Sequence, residues 1–163
     1  MPTSNQFRWT MMNLGVVEIR GMDVAIQSNW KLPKEISIDT RLTYTYQKAQ
    51  DFTNNTSGYY GDQIPYIPWH SGSLIVNACW RKWDLNYSFI YTGERYDAST
   101  NIPENYIPEW YTNDLSLSRT FRIRNLNYRL TAEVNNLFNQ QFEVVKCYPM
   151  PGTNYKFILT IHI

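Results

Sequence analysis

The chain has 163 residues, and its 15 Lys and Arg against 14 Asp and Glu give a formal net charge of +1, which argues against a nucleic-acid partner. Aromatic residues make up 16% of the chain, yet its mean hydropathy is -0.48. A polar chain this rich in Tyr and Trp places many amphipathic rings at boundaries rather than in one dry core. Carbohydrate-binding β-sandwiches and membrane β-barrels both have this character.

Seven segments with period-two alternation of apolar and polar residues predict an all-β, antiparallel fold. In 83–92, for example, Trp83, Leu85 and Tyr87 fall on one face and Asp84 on the other. The predicted strands are 15–30, 36–46, 72–80, 83–92, 114–121, 126–134 and 155–163. Most are close to the ~9–11 residues that a tilted strand needs to cross a bilayer. No apolar run approaches the ~20 residues of a spanning helix.

The connections between these strands alternate between long and short. They are 1–14 (long), 31–35 (short), 49–70 (long), 81–82 (short), 94–110 (long), 122–125 (short) and 137–153 (long). Transmembrane barrels have this rhythm, with short periplasmic turns and long extracellular loops. The sequence therefore predicts a transmembrane β-barrel segment of about seven strands.

The aromatic residues fall in two bands that fit the same prediction. Trp30, Trp80, Trp83 and Phe121 lie beside the short turns, and Tyr44, Tyr46, Tyr91, Tyr111 and Phe138 lie beside the long loops. We expect these bands to form girdles at the two membrane interfaces. The charged residues of the strands, Asp84, Arg129, Glu133 and Lys156, are expected to face a wet or plugged lumen.

A seven-stranded segment leaves two open edges, which hydrocarbon does not tolerate, and bacterial single-chain barrels have an even strand number. The amino terminus also lacks the basic start and apolar stretch of a secretory signal. We therefore expect the chain to be the last part of a longer barrel, from either a fragment or a split gene. If Ile163 ends in the periplasm, counting back puts residues 1–14 on the extracellular side.

The carboxy-terminal run 132–163 resembles the closing region of TonB-dependent outer-membrane receptors. It contains the motif N-N-L-F-N at 135–139, then Y-P-M-P-G at 148–152, and then one last strand. The resemblance continues through 13–26, 61–74, 87–100 and 107–121. Two departures are the final Ile163, where an aromatic residue is usual, and Cys147, where the family often has a small residue.

The resemblance implies a 22-stranded barrel in the outer membrane of a Gram-negative bacterium, closed by an amino-terminal plug that lies outside this chain. It implies active uptake, driven by TonB through the plug, of a scarce small molecule of the cobalamin or iron-siderophore type. It implies no enzyme activity and no cofactor. The alternatives are a soluble aromatic-rich β-sandwich that binds carbohydrate, and a truncated gene product that is never assembled.

Two long loops carry dense aromatic groups suited to a large flat or ring-shaped ligand. The candidate ligand-binding residues are Tyr59, Tyr60, Tyr66 and Trp69 in the first loop and Tyr96, Tyr106 and Trp110 in the second. The alternative is that these rings simply pack on one another above the barrel.

Metal binding and catalysis have little support in the sequence. His70 and His162 have no partner ligands at metal-binding spacing, and no calcium-loop pattern is present. Nor is there a nucleophile elbow or a phosphate loop. In the last loop, Gly152 is expected to supply a positive φ angle.

Overall fold

The structure, a computed structural model, describes residues 15–162. The predicted extracellular position of residues 1–14 and the predicted strand end at Ile163 lie outside these residues. The elements in chain order are β1 (Val17–Leu32), β2 (Ile36–Asp51), β3 (His70–Trp80), β4 (Trp83–Thr92), β5 (Arg95–Tyr96), a 3₁₀ helix (Pro103–Asn105), β6 (Tyr106–Ile107), β7 (Trp110–Ile123), β8 (Leu126–Asn135), β9 (Glu143–Val145), β10 (Tyr148–Pro149) and β11 (Asn154–His162). No helix among them is long and apolar enough to cross a membrane.

Seven of the strands form one antiparallel sheet in the order β1-β2-β3-β4-β7-β8-β11. Each strand pairs with the next long strand along the chain, so the all-β prediction and its seven strands are confirmed. The four short strands form two small two-stranded sheets, β5-β6 and β9-β10, within the long loops. Within residues 15–162 the large sheet does not close into a barrel, because β1 and β11 remain its two edges.

Several strands extend further than the apolar alternation predicts. The first two run over 16 residues each, and Val17 pairs with Asp51 at their far end. The predicted turn 122–125 is shorter in the structure, because β7 continues to Ile123 and only Arg124 and Asn125 connect it to β8. Backbone hydrogen bonding continues wherever a partner strand is available, whatever the side-chain polarity.

The pairing register places apolar side chains beside apolar side chains across most of the sheet. Leu42 of β2 is opposite Leu74 of β3, which is opposite Phe89 of β4. The result is a largely apolar face with a few polar positions such as Arg119, and most of its large side chains are exposed, such as Phe157 at 77%. The predicted aromatic bands lie on this face at its two ends: Trp80 is opposite Trp83 near the short turns, and Tyr91 is opposite Tyr111 near the long loops.

The other face of the sheet is polar and is crossed by ion pairs and hydrogen bonds between strands. Arg129 Nη2 lies 3.2 Å from Asp84 Oδ2, and Lys156 Nζ lies 3.4 Å from Glu133 Oε2. The hydroxyls of Ser118 and Thr131 are 2.8 Å apart on neighbouring strands, and those of Thr43 and Ser73 are 2.7 Å apart. Both faces of the sheet lack a covering sheet in the described part of the chain, so the β-sandwich alternative has no structural support.

Candidate functional site

Three long loops leave the same end of the large sheet, which we call the long-loop end. They are loop L1 (52–69) between β2 and β3, loop L2 (93–109) between β4 and β7, and loop L3 (136–153) between β8 and β11. L2 contains the β5-β6 pair and L3 contains the β9-β10 pair. Because the loops join neighbouring hairpins, their bases lie side by side and their tips can pack together.

Arg95 of L2 holds L2 and L3 together. Its side chain is buried, with only 2% of the residue exposed. Nη2 donates to the carbonyl oxygens of Glu143 at 2.7 Å and Val144 at 3.0 Å. Nη1 lies 3.4 Å from the carbonyl oxygen of Pro108 in its own loop. The planar guanidinium offers five donors in a fixed fork, so one side chain can satisfy carbonyl groups in two loops.

Loop L1 is joined to L2 by backbone and side-chain hydrogen bonds. The backbone N–H of Tyr66 donates to the carbonyl oxygen of Tyr96 at 2.8 Å. The backbone N–H of Asn101 donates to Asp62 Oδ2 at 3.0 Å. The three loops therefore form one continuous assembly over the long-loop end, with L2 in the middle.

The base of L3 is organised by Asn136, the second Asn of the N-N-L-F-N motif. This residue is 5% exposed and adopts a left-handed backbone conformation with φ 52°. Its side chain accepts from the backbone N–H of Gln140 at 2.8 Å and donates to the carbonyl oxygen of Pro151 at 3.2 Å. The two carboxy-terminal motifs are thus in direct contact, with Asn136 reaching the P-M-P-G segment.

The prediction that Gly152 supplies a positive φ angle is wrong, because Gly61 is the positive-φ glycine of the described residues. A side chain at Gly152 would instead meet Asn139 Oδ1 at a distance far below van der Waals contact. A larger residue here would therefore have to displace the Asn139 side chain, which accepts the N–H of Thr153.

A cavity of about 350 Å³ opens between the three loops. It is lined by Tyr66, Thr92, Arg95, Trp110, Val144 and Val145. Thr92 and Trp110 are opposite each other in the register of β4 and β7, and by strand alternation they belong to the polar face of the sheet. The cavity therefore lies where the polar face meets the loops.

Two features of the cavity lining are typical of binding sites. The indole Nε1 of Trp110 is buried and has no hydrogen-bond partner, although the ring stacks on Phe142 with centroids 4.5 Å apart. Tyr66 adopts φ 62°, a conformation that is strained for a bulky residue and that clusters at functional sites. Buried polar groups normally have partners, so the unpartnered indole N–H is an exception among the described residues, and the nitrogen itself has almost no accessible surface.

Burial shifts the pKa values of two groups in L2. It lowers the pKa of Arg95 from its usual value, because the charged form loses water. Burial raises the pKa of Tyr106, and the Glu94 carboxylate, which accepts the Tyr106 hydroxyl at 3.0 Å, raises it further. Both terminal nitrogens of the guanidinium bond loop carbonyl groups, so its role is to position L2 and L3 around the cavity.

The TonB dependent receptor-like β-barrel family model matches residues 1–137, which is most of the chain. The chain belongs to this family. TonB-dependent receptors as a family are outer-membrane transporters of Gram-negative bacteria.

The receptor chain also resembles a solved structure, the crystal structure of BauA, described as the ferric preacinetobactin receptor from Acinetobacter baumannii. The TM-score is 0.60 at 12% sequence identity, and the match covers 89% of this chain. It covers only 27% of the BauA chain, so this chain spans about a quarter of the length of that protein. At this identity the likeness concerns the fold alone.

Two of the predicted ligand residues line the cavity, and two more lie in L2, the loop that carries Arg95. Tyr66 and Trp110 line it. Tyr96 and Tyr106 lie in the small β5-β6 sheet of L2, where their rings pack edge to face with centroids 5.8 Å apart. Ligand contact by these residues stays a prediction, but the structure brings the two predicted loops together.

The other three predicted ligand residues of the receptor chain, all in L1, do not line this cavity. Tyr60 is exposed and packs edge to face against Phe52. Trp69 lies under the ammonium group of Lys48, which is 5.1 Å from its ring centroid. The carbonyl oxygen of Tyr59 accepts the N–H of Asp62 at 3.0 Å in a turn. The alternative that these rings pack on one another therefore describes Tyr60, whereas Trp69 packs against a lysine of β2.

Sequence reasoning missed Arg95, Phe142 and the two valines of L3. A single Arg in a polar loop carries no pattern, and its four carbonyl partners are backbone groups that any residue supplies. Metal ligation has no candidate in residues 15–162, where no group of three or more His, Cys, Asp and Glu converges. His70 instead shares a hydrogen bond of 2.8 Å with the Tyr44 hydroxyl.

Proposed function

We propose that the chain forms the carboxy-terminal wall and part of the ligand-binding rim of a TonB-dependent outer-membrane receptor, which takes up a scarce iron-siderophore or cobalamin. The observation that carries the proposal is the cavity between L1, L2 and L3, which is lined by Tyr66 and Trp110 and lies at the edge of the polar face. In this proposal the long loops are extracellular and the short turns are periplasmic.

The dimensions of the apolar face support insertion in a bilayer. In β2 the apolar face runs from Ile36 to Tyr46, and in β1 the paired positions run from Leu32 to Met22. Ten steps of ~3.4 Å, tilted by about 40°, correspond to a height of about 26 Å, close to the ~25 Å apolar band of outer-membrane barrels. Beyond Met22 the same face becomes charged, with Glu18 and Arg20 in an ion pair.

The position of the cavity supports ligand binding from the lumen side of the rim. Trp110 and Thr92 belong to the polar face, which faces the lumen when the apolar face contacts lipid. The aromatic side chains of Tyr66 and Trp110 suit the ring systems of siderophores and of cobalamin. The related fold of a ferric preacinetobactin receptor favours the siderophore class.

The partners of the proposed receptor follow from the length of its structural relative. This chain covers 27% of the BauA chain, so we propose that the plug domain and the earlier strands are encoded outside these residues. TonB would act through that plug, and the open edges of β1 and β11 would pair with the remaining strands of a 22-stranded barrel. Outer-membrane lipid would cover the apolar face.

Ligand binding by the full receptor, purified in detergent, tests the proposal. Ferric siderophores of several chemical classes and cyanocobalamin are titrated while tryptophan fluorescence is followed. One of them is expected to bind, and Trp110→Ala is expected to weaken that binding at least tenfold, as about 2 kcal/mol for a buried aromatic anchor implies. Tyr60→Ala is the matched control, because Tyr60 is exposed and lies outside the cavity.

Two results would contradict the proposal. The first is an equal loss of ligand affinity in Trp110→Ala and Tyr60→Ala, which would show that the ligand does not bind specifically in the cavity. The second is a parent protein that stays soluble without detergent or is never found in outer-membrane preparations, as a truncated gene product would be.

A further inference from the structure

A basic patch interrupts the apolar face of the sheet at its short-turn end. The three short turns, 31–35, 81–82 and 122–125, carry six Lys and Arg against one carboxylate, that of Glu35. A further cation, Arg119, lies within the apolar face itself, opposite Trp83 on one side and Leu130 on the other. A charged side chain on an apolar strand face is costly at the bilayer midplane but costs little near an interface, so Arg119 is tolerated at this end of the face and can meet lipid headgroups there.

The cations of this patch are held in place by the neighbouring rings and backbone. The Arg119 guanidinium lies 4.8 Å from the Trp83 ring centroid, and the Arg81 guanidinium lies 5.7 Å from that of Trp80. The Lys82 carbonyl oxygen accepts the N–H of Thr120 at 2.9 Å, which fixes the turn against β7. Stacking on an aromatic ring orients a guanidinium and leaves its edge N–H groups exposed to an anion. Arg81 Nε also lies 3.6 Å from Glu35 Oε2, so Arg119 and Lys82 are the cations of this groove without a carboxylate contact in the described residues.

Three adjoining surface grooves meet at this patch. The first, of about 480 Å³, is lined by Glu35, Trp80, Arg81, Lys82, Trp83 and Arg119. It adjoins two apolar grooves that share Trp83 and Leu117 with each other. One, of about 380 Å³, runs along Ile36, Ala78 and Leu85. The other, of about 540 Å³, runs along Phe121, Leu130 and Ala132.

The geometry points to a binding site for one anionic diacyl phospholipid of the periplasmic leaflet. The headgroup phosphate occupies the basic groove between Arg81, Lys82 and Arg119, and one acyl chain lies in each apolar groove. Two apolar channels leaving one cationic pocket match the shape of a two-chain lipid, and the charge of the patch complements a phosphate that is not already neutralised by a headgroup amine. The inference rests on the proposed function, because that function places the apolar face in a bilayer.

Native mass spectrometry and bromolipid quenching of the full receptor in nanodiscs test the site. The discs contain phosphatidylcholine with one part in ten of phosphatidylglycerol, and in parallel samples one or the other lipid is brominated. Brominated phosphatidylglycerol is expected to quench Trp80 and Trp83 more strongly than brominated phosphatidylcholine. Native spectra are expected to show one phosphatidylglycerol retained per receptor.

Single-charge variants separate this site from general attraction to a basic surface. Arg119→Gln and Lys82→Gln are each expected to lower the preference for phosphatidylglycerol about fivefold, the effect of one cation near a lipid headgroup. Arg124→Gln is the matched control, since it removes one turn cation that lines none of the three grooves. Its preference is expected to equal that of the wild type. Lys82 is in an exposed turn, so its variant reports on the site even if Arg119→Gln does not fold.

The outcomes also separate this inference from the proposed function. Equal retention of the two lipids by the wild type, or equal loss of preference in Lys82→Gln and Arg124→Gln, overturns the lipid site alone. A receptor that fails to enter nanodiscs overturns the proposed function and this inference with it.

Discussion

Replacing Arg95 by Met is predicted to separate L3 from L2 while leaving the large sheet intact. The short bonds to the carbonyl oxygens of Glu143 and Val144 come from a charged donor, and such bonds contribute about 1.5–3 kcal/mol each. Removing a buried charge also removes its desolvation cost, which offsets part of this contribution. We expect the free energy that favours L3 bound to L2 to fall by about 2 kcal/mol. The population in which L3 is separated from L2 then rises about thirtyfold.

Hydrogen–deuterium exchange of the receptor measures this change directly. The peptide covering 142–150 contains the amide of Met150, which donates to the carbonyl oxygen of Phe142 at 2.9 Å, and is expected to exchange about thirtyfold faster in Arg95→Met. Peptides of β3 and β4 are expected to be unchanged. Arg122→Met is the control, because Arg122 is an exposed cation at the opposite end of the sheet. If the 142–150 peptide of Arg95→Met exchanged at the wild-type rate, the claim that Arg95 holds L3 to L2 would be refuted.

Three further predictions concern L2, L3 and the apolar face. Burial and the Glu94 carboxylate raise the pKa of Tyr106 above its ordinary value of 10.0. The hydrogen bond from the Tyr106 hydroxyl to Glu94 is therefore present at neutral pH and is lost as the pH rises through that raised pKa. Tyr106→Phe should remove one late-titrating tyrosine from an absorbance titration. Lys146 Nζ lies 3.4 Å from Asp97 Oδ2, and a double-mutant cycle should give less than about 1 kcal/mol for this partly exposed pair. Leu42→Arg, near the middle of the apolar face, should lower the free energy of unfolding in vesicles by about 2–4 kcal/mol.

Each of these predictions has a result that would contradict it. If the difference between the wild-type and Tyr106→Phe titrations had its midpoint below pH 10, the Glu94 carboxylate would not raise the pKa of Tyr106. A coupling energy above about 2 kcal/mol would mean that the Lys146 pair, rather than Arg95, is the main link between L2 and L3. If Leu42→Arg left the free energy of unfolding unchanged, the face that carries Leu42 would be in contact with water rather than lipid.

The strands were predictable from the sequence because their apolar alternation has period two and each apolar set must share one face. The segment 83–92 has the same bounds in the structure as in the prediction. The upper part of β2 was not predicted, since residues 47–51 are polar apart from Ala49, which pairs with Ile19 of β1. Backbone pairing leaves no side-chain signal, so the predicted strand ended where the apolar residues did.

The candidate site was predictable only in part. Tyr66 and Trp110 were expected as loop aromatics, but their meeting depends on how L1 folds over L2, which is set by backbone contacts such as Tyr66 to Tyr96. Trp69 fits the same compositional signal and lies elsewhere, against Lys48. The composition of a loop thus indicates a site, whereas loop-to-loop hydrogen bonding decides which rings belong to it.

The central claim is that this sheet is the wall of a membrane barrel, with its apolar face in lipid. A nitroxide scan of β4 in the full receptor, reconstituted in vesicles, tests it most directly. Oxygen, which concentrates in lipid, is predicted to relax labels at Leu85, Tyr87 and Phe89 most strongly, while a water-soluble nickel complex is predicted to reach Asn86 and Ser88. Loss of this alternation, or nickel access to Leu85 and Phe89, would contradict the claim.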